Sequence, residues 1–248
     1  MTRLGVTFLI RSLETGGAER QVLVLADGLA RRGHAVDLAV FYGGGALERD
    51  LAGSPVTLHH LDKRGRWDVG PFFLRLVRLL RRLRPDAIYG FLGTANLLAV
   101  LARPLLRPAP AALWGVRTSD MELARYGRLP WLHFQVERRL SFLPDRVVYN
   151  SRAGRDFALS QGFSRRNAEV VPNGIDTARF APDEAARARL RAEWEAPEDV
   201  PLVGLAARLD PVKDHETFLR AAAILVRTRP EARFVCAGDG PEPYARSL

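Results

Sequence analysis

The sequence predicts an α/β protein: a largely parallel sheet over residues 1–171, a connection at 172–182, and the beginning of a second α/β unit over 183–248. Three observations carry this. Short apolar runs rich in β-branched and aromatic residues alternate with stretches of helical spacing. The alternation stops at VPNGIDTARFAPD, where Pro172, Asn173-Gly174 and Pro182 break any regular element. It restarts at LVGLAA.

The predicted strands are LGVTFLI (4–10), AVDLAVFY (35–42), PVTLHHL (55–61), DAIYGFL (86–92), AALWGV (111–116), DRVVYN (145–150) and AEVV (168–171). Between most of them the apolar spacing switches to the helical period, at 18–32, 70–84, 95–106, 129–143 and 152–161. Strand and helix in turn imply βαβ units and parallel pairing. Past the connection, EAARARLRAEWE (184–195) reads as a helix, LVGLAA (202–207) and ARFVCAG (232–238) as strands, and 214–227 as the helix between them. Two strands and one helix are too few to cover both faces of a parallel sheet, so the second unit is expected to be truncated at residue 248.

Composition narrows the class. With 47% hydrophobic and 26% charged residues over 248 positions, the chain can bury a sizeable core. The lone Cys236 forms no internal disulfide, and the opening residues lack a secretory pattern, so the cytoplasm is the expected location. The longest apolar stretch, ANLLAVLARPLL, is broken by Arg103 and Pro104 and falls short of the roughly 20 residues a membrane span needs. The net charge of +9 is uneven: residues 1–150 hold 22 Lys+Arg against 13 Asp+Glu, and residues 151–248 hold 15 of each. Such a surplus suits an anionic surface, phospholipid or nucleic acid, as well as plain solubility. No nucleic-acid module accompanies it, and no nucleic-acid partner is expected.

Two places carry candidate chemistry. After the first strand, Gly16 and Gly17 open a helix, where free amides and the helix dipole favour a phosphate or carboxylate; a tight turn is the other reading of the pair. After LVGLAA come Arg208 and Lys213, the latter one of only two lysines beside 35 arginines. Ligands of open α/β sheets bind at the carboxyl ends of strands, so two fixed cations there can neutralise a diphosphate. A surface ion pair among Arg208, Asp210, Lys213 and Asp214 is the alternative. Gly-x-Gly-x-x-Gly, Gly-x-Ser-x-Gly and Walker sequences are missing, which removes the main support for dinucleotide, acyl-transfer and nucleotide-hydrolysis readings. The five histidines lack the grouping of a metal site, so no metal is expected.

TGGAERQVLVLADGLARRGHAVDLAV, VVYNSRAGRDFALSQGF, VVPNGIDTARFAPD, GLAARLDPVKDHETFLRAAAIL and FVCAGDGP, in that order, closely resemble the retaining sugar-nucleotide glycosyltransferases of family 4. The resemblance implies a GT-B fold, with a Rossmann-like acceptor-side domain followed by a Rossmann-like nucleotide-sugar domain. It implies transfer from a nucleotide-sugar donor, itself a substrate, to a hydroxyl acceptor, a lipid-linked one if the first domain rests on a membrane, without a cofactor. It makes Gly16 and Gly17 the glycine loop at the donor phosphates, Arg208 and Lys213 the diphosphate clamp, and Gly238, Asp239 and Gly240 a nucleotide-side turn. Arg117 and Asp120 are weaker candidates near the transferred sugar. The family's paired glutamates, eight positions apart, belong downstream of GDGP, so a catalytically incomplete module that binds nucleotide or a partner is the competing expectation. Separately, GPFFLRLVRLLRRLRP sets Phe72, Leu76, Leu79, Leu80 and Leu83 on one helical side and Arg75, Arg78 and Arg82 on another. That pattern fits a helix resting on anionic lipid at the inner face of the plasma membrane, or an ordinary sheet-packing helix.

Overall fold

The computed structural model describes residues 2–117 and 128–248, which divide into two compact units, Met1–Ile175 and Asp176–Leu248. In the first unit, β1 (Gly5–Ile10), α1 (Gly17–Arg31), β2 (Ala35–Val40), β3 (Thr57–His60), α2 (Gly70–Leu83) and β4 (Ala87–Phe91) come first. They are followed by α3 (Gly93–Ala102), β5 (Ala111–Val116), α4 (Arg128–Leu140), β6 (Arg146–Tyr149), α5 (Arg152–Ser160) and β7 (Ala168–Val170). The seven strands form one sheet in the order β3-β2-β1-β4-β5-β6-β7, every pair parallel. Strand order reverses between β1 and β4, and that switch point places a crevice at their carboxyl ends.

Both faces of the sheet are covered, which is why its strands read as nearly continuous apolar runs. Phe8 and Ile10 of β1 pack with Val22, Leu23 and Ala26 of α1 on one face. Leu9, pointing the other way, joins Phe72, Leu76 and Leu80 of α2 and Ala99 of α3. A third cluster, around Trp114, Tyr149 and Phe163, anchors the far end of the sheet.

The α2 helix settles one sequence expectation as a correction. Phe72, Leu76, Leu79 and Leu80 are all buried, and Arg75 donates to the carbonyls of Leu61 and Asp62 at 2.8 and 3.1 Å and pairs with Asp68. Drawing that face off the sheet would forfeit about 1.5–3 kcal/mol per large side chain, so this apolar stripe is core and not a lipid anchor. Arg78 and Arg82 remain exposed.

The division after Ile175 lies within residues 172–182, whose Asn173-Gly174 turn is tied to the first unit. Gln21 donates to the Gly174 carbonyl at 2.8 Å and accepts from the Gly174 amide at 3.1 Å. The second unit comprises α6 (Glu184–Glu193), β8 (Leu202–Ala206), α7 (His215–Leu225), β9 (Arg233–Ala237) and α8 (Glu242–Ala245), with β8 and β9 paired as a two-stranded parallel sheet. Asp183 caps α6 through the Ala186 amide, and Asp214, in the left-handed region at φ 54°, caps α7 through the Thr217 amide. Short 3-10 segments precede β3, at Ala46–Leu51, and α7, at Pro211–Lys213; neither is foreseen by periodicity.

Candidate functional site

At the end of β1 the chain turns into α1 through Gly16, whose backbone is extended (φ −165°), and Gly17, the first helical residue. Gly17 has open space where a Cβ would stand. A Cβ on Gly16 would meet the Glu19 carboxylate, which folds back over the start of the helix. The anion-favouring end of α1 thus already faces one carboxylate of its own chain.

Beside this loop lies a cleft of about 520 Å³, formed by the ends of β1, β4 and β5 with α3, α4 and α5. Arg11, Glu19 and Arg117 line one part of it; Phe134, Phe157 and Phe163 line another. Arg117, at the end of β5, lies over the Phe91 ring at 4.6 Å and donates to Asn173 Oδ1 at 2.8 Å and to the Tyr89 hydroxyl at 3.5 Å. It is held in place between the sheet and the Asn173-Gly174 turn. Asp120 falls outside the described residues.

The cleft also holds three polar side chains that the sequence reading passed over. Asn96, 1% exposed, accepts from the Gly115 amide at 3.1 Å and donates to Glu137 at 3.3 Å. His133, one turn before Glu137 on α4, sits with Nδ1 3.6 Å from the other carboxyl oxygen. Burial pushes the Glu137 carboxyl up to about 7, against the Asn96 hydrogen bond, and burial lowers the His133 imidazole. Backbone strain supports the arrangement. Leu92, the residue just before α3, stands at φ 68°, ψ 159°, a region almost reserved for glycine, and its amide donates to the Gly115 carbonyl. Gly93 is equally constrained, since a Cβ there would lie 2.4 Å from His133 Cε1.

In the second unit the predicted residues gather at the carboxyl ends of β8 and β9. Arg208 pairs with Asp210 at 2.7 Å. Asp210 caps the turn holding Lys213 by accepting from the Val212 amide at 3.1 Å, and that bond, then Arg208, holds its carboxyl below the usual range. The Gly238-Asp239-Gly240 turn is pressed against this loop, with Leu209 N donating to the Asp239 carbonyl at 2.9 Å. Both glycines are required there. A Cβ would fall 1.9 Å from the Ala207 carbonyl at Gly238, whose φ is 156°, and 2.3 Å from the Leu209 carbonyl at Gly240. The ion pair of Arg208 is thus formed with one carboxylate, which orients a guanidinium whose side chain stays 64% exposed. Among the described residues, no three His, Cys, Asp or Glu side chains gather as a metal site requires. Among them, too, no helix is long and apolar enough to cross a membrane.

The chain is similar to several characterised proteins. It is 37% identical over 150 residues to a GDP-mannose-dependent alpha-(1-6)-phosphatidylinositol monomannoside mannosyltransferase of Mycolicibacterium smegmatis, covering 60% of this chain and 38% of that one. It is 34% identical over 95 residues to a D-inositol 3-phosphate glycosyltransferase of Nocardia farcinica, covering 38% and 21%. The match to the mannosyltransferase spans about two fifths of that relative's length. Among solved structures, Anabaena Alr3699/HepE in complex with UDP and glucose superposes with a TM-score of 0.82 at 18% identity, over 99% of this chain and 64% of that one. Sucrose-phosphate synthase from Thermosynechococcus elongatus gives 0.75 at 16% identity, over 97% and 64%. These neighbours share the GT-B fold class that the sequence predicts. The profile of Glycosyltransferase Family 4 matches residues 15–179, and the chain belongs to that family.

Proposed function

We propose that this chain takes part in transferring a sugar from a nucleotide-sugar donor to a hydroxyl acceptor, with retention of anomeric configuration, in polysaccharide, lipopolysaccharide or glycolipid synthesis. The family match over residues 15–179 carries the reading. The relatives' names, one GDP-mannose-dependent, support a nucleotide-sugar donor. In this reading the donor diphosphate lies at the Arg208–Lys213 loop. As the bond from the anomeric carbon to the phosphate oxygen breaks, negative charge grows on the departing diphosphate, and Arg208 and Lys213 stabilise it where other transferases use a metal. Asp210 fixes one edge of the Arg208 guanidinium and leaves its other N–H groups for phosphate oxygens. The nucleotide sugar is a substrate, and no cofactor takes part.

The test is incubation with GDP-mannose or UDP-glucose and a panel of hydroxyl acceptors, with the product anomer read by NMR and nucleotide release followed with and without EDTA. An α-linked product that forms equally in EDTA supports the reading. An inverted product, or turnover abolished by EDTA, overturns its retaining or metal-independent part, and nucleotide binding without turnover favours the binding-module alternative.

A second reading, peripheral contact with an anionic membrane at the cytoplasmic face, draws support from α4 and not from the buried stripe of α2. On α4, Trp131 and Leu132 are 51% and 53% exposed and Arg139 is exposed; Phe142, just past the helix, is 66% exposed. An aromatic and aliphatic surface edged by arginine suits the boundary of an acidic bilayer.

A further inference from the structure

At the amino ends of β4 and β5, the end of the sheet away from the cleft, the first unit carries a second cavity, of about 350 Å³. It lies between the carboxyl end of α2 and the loop that leads into β5. Leucines and prolines form its apolar wall, and three guanidinium groups line it, those of Arg81, Arg84 and Arg107. Among the described residues, none of the three has a carboxylate within 4 Å. Asp86, the one acid between Asp68 and Asp120 in the sequence, is engaged elsewhere, accepting from the Gly5 amide at 2.7 Å.

Backbone carbonyls hold two of the guanidinium groups. Arg81 Nε donates to the Leu105 carbonyl at 3.2 Å, and Arg107 Nη1 donates to the Pro104 and Leu106 carbonyls at 3.1 and 2.8 Å. Both terminal nitrogens of Arg81, and Nε and Nη2 of Arg107, keep N–H groups without a partner among the described residues. The helix dipole accounts for Arg81, which sits in the last turn of α2. It does not account for the other two. Arg84 ends α2 at φ 49°, ψ 55°, a left-handed conformation that glycine adopts without steric cost. The chain keeps that strain and, with it, a third cation at the cavity. Arg107 lies in RPLLRPAP, where proline rings restrict the backbone and order the loop in advance.

Three cations with no acid among them repel one another, and an anion that meets all three reverses the sign of that interaction. A phosphate monoester does so: it is close to doubly charged, and its oxygens accept from several guanidinium forks at once. The volume lies at the lower end of the range of about 300–1,000 Å³ found for small-molecule sites. We propose that this cavity binds a phosphate monoester, with its phosphate between Arg81, Arg84 and Arg107 and its organic body against Leu105, which is 45% exposed. The same group reaches the cavity on a soluble metabolite or as the headgroup of a lipid. The site and the cleft stand at opposite ends of the same strands, so this inference is independent of the transferase reading.

The experiment titrates phenyl phosphate, with phenol as the control, into the 248-residue chain by calorimetry at physiological salt, and sediments the chain with phosphatidylcholine vesicles carrying phosphatidic acid. Phenyl phosphate is expected to bind saturably and phenol not at all. Arg81→Gln and Arg107→Gln are each expected to weaken binding about tenfold, and Arg208→Ala to leave it unchanged. Arg84→Gly separates binding from folding: glycine relieves the left-handed strain, so this variant should melt no lower than wild type while binding falls about tenfold. Sedimentation that depends on phosphatidic acid and falls in the same variants assigns the phosphate to a lipid headgroup; phenyl phosphate binding without it assigns a soluble ester. Absence of saturable binding, equal affinity in wild type and all three cavity variants, or binding lost only in Arg208→Ala would each overturn the proposal.

Discussion

Replacing Glu137 by Gln is expected to change how stability depends on pH, with a magnitude that follows from its burial. The carboxyl ordinarily titrates at 4.5 and is pushed up to about 7 in the folded chain. Between those values the folded state holds a proton that the unfolded state has released, so stability falls as pH rises. The loss is complete once pH exceeds about 7. At about 1.4 kcal/mol for each pH unit separating the two values, it amounts to roughly 3 kcal/mol. Glutamine keeps the shape and accepts the Asn96 hydrogen bond but has nothing to ionise. Urea unfolding followed from pH 5 to pH 8.5 is therefore expected to give nearly equal stability at pH 5 and a variant more stable by about 2–3 kcal/mol at pH 8. Burial lowers the His133 imidazole, and repeating the comparison in a His133→Gln background removes its contribution from the difference curve. A flat difference between the two proteins across this range would refute the reasoning, as it would mean that the carboxyl is solvated in the folded chain.

Three further outcomes are expected. Gly238→Ala forces a Cβ to within 1.9 Å of the Ala207 carbonyl at a φ of 156°, so the second unit should lose about 2 kcal/mol or more and nucleoside diphosphate binding with it, measured by chemical unfolding and calorimetry. Gln21→Ala removes both bonds to Gly174 and should free the Asn173-Gly174 turn, raising its amide exchange by tenfold or more while the sheet amides stay protected. Trp131→Ser with Leu132→Ser should reduce sedimentation with phosphatidylglycerol vesicles several-fold, and unchanged sedimentation would remove the α4 membrane surface.

The sheet was legible because its physics is local. The central runs between helical stretches had to be buried on both faces, and AALWGV became β5 with the same bounds. Boundaries failed where a single backbone angle decided them: α3 starts at Gly93 and not at 95 because Leu92 adopts a left-handed φ that no pattern announces, and it ends at Ala102 ahead of Pro104. The amphipathic α2 was legible as a helix but ambiguous in partner, since a stripe of Phe and Leu looks the same whether it meets a sheet or a bilayer. The loop of Arg208 and Lys213 stood out through Lys rarity and strand position. The Asn96–Glu137–His133 group did not, because its members come together only when α3 and α4 pack. One signal was present: a lone Asn inside the apolar run ANLLAV, which a buried helix tolerates only if the amide is bonded.

The central claim, that this family 4 chain takes its donor through the diphosphate, is tested most directly by calorimetric titration of GDP and UDP into wild type, Arg208→Ala and Lys213→Ala at physiological salt. The account predicts saturable binding of at least one nucleotide, weakened at least about tenfold by each substitution and unchanged by EDTA. Equal affinity in all three proteins, or binding that disappears when divalent cations are chelated, would contradict it.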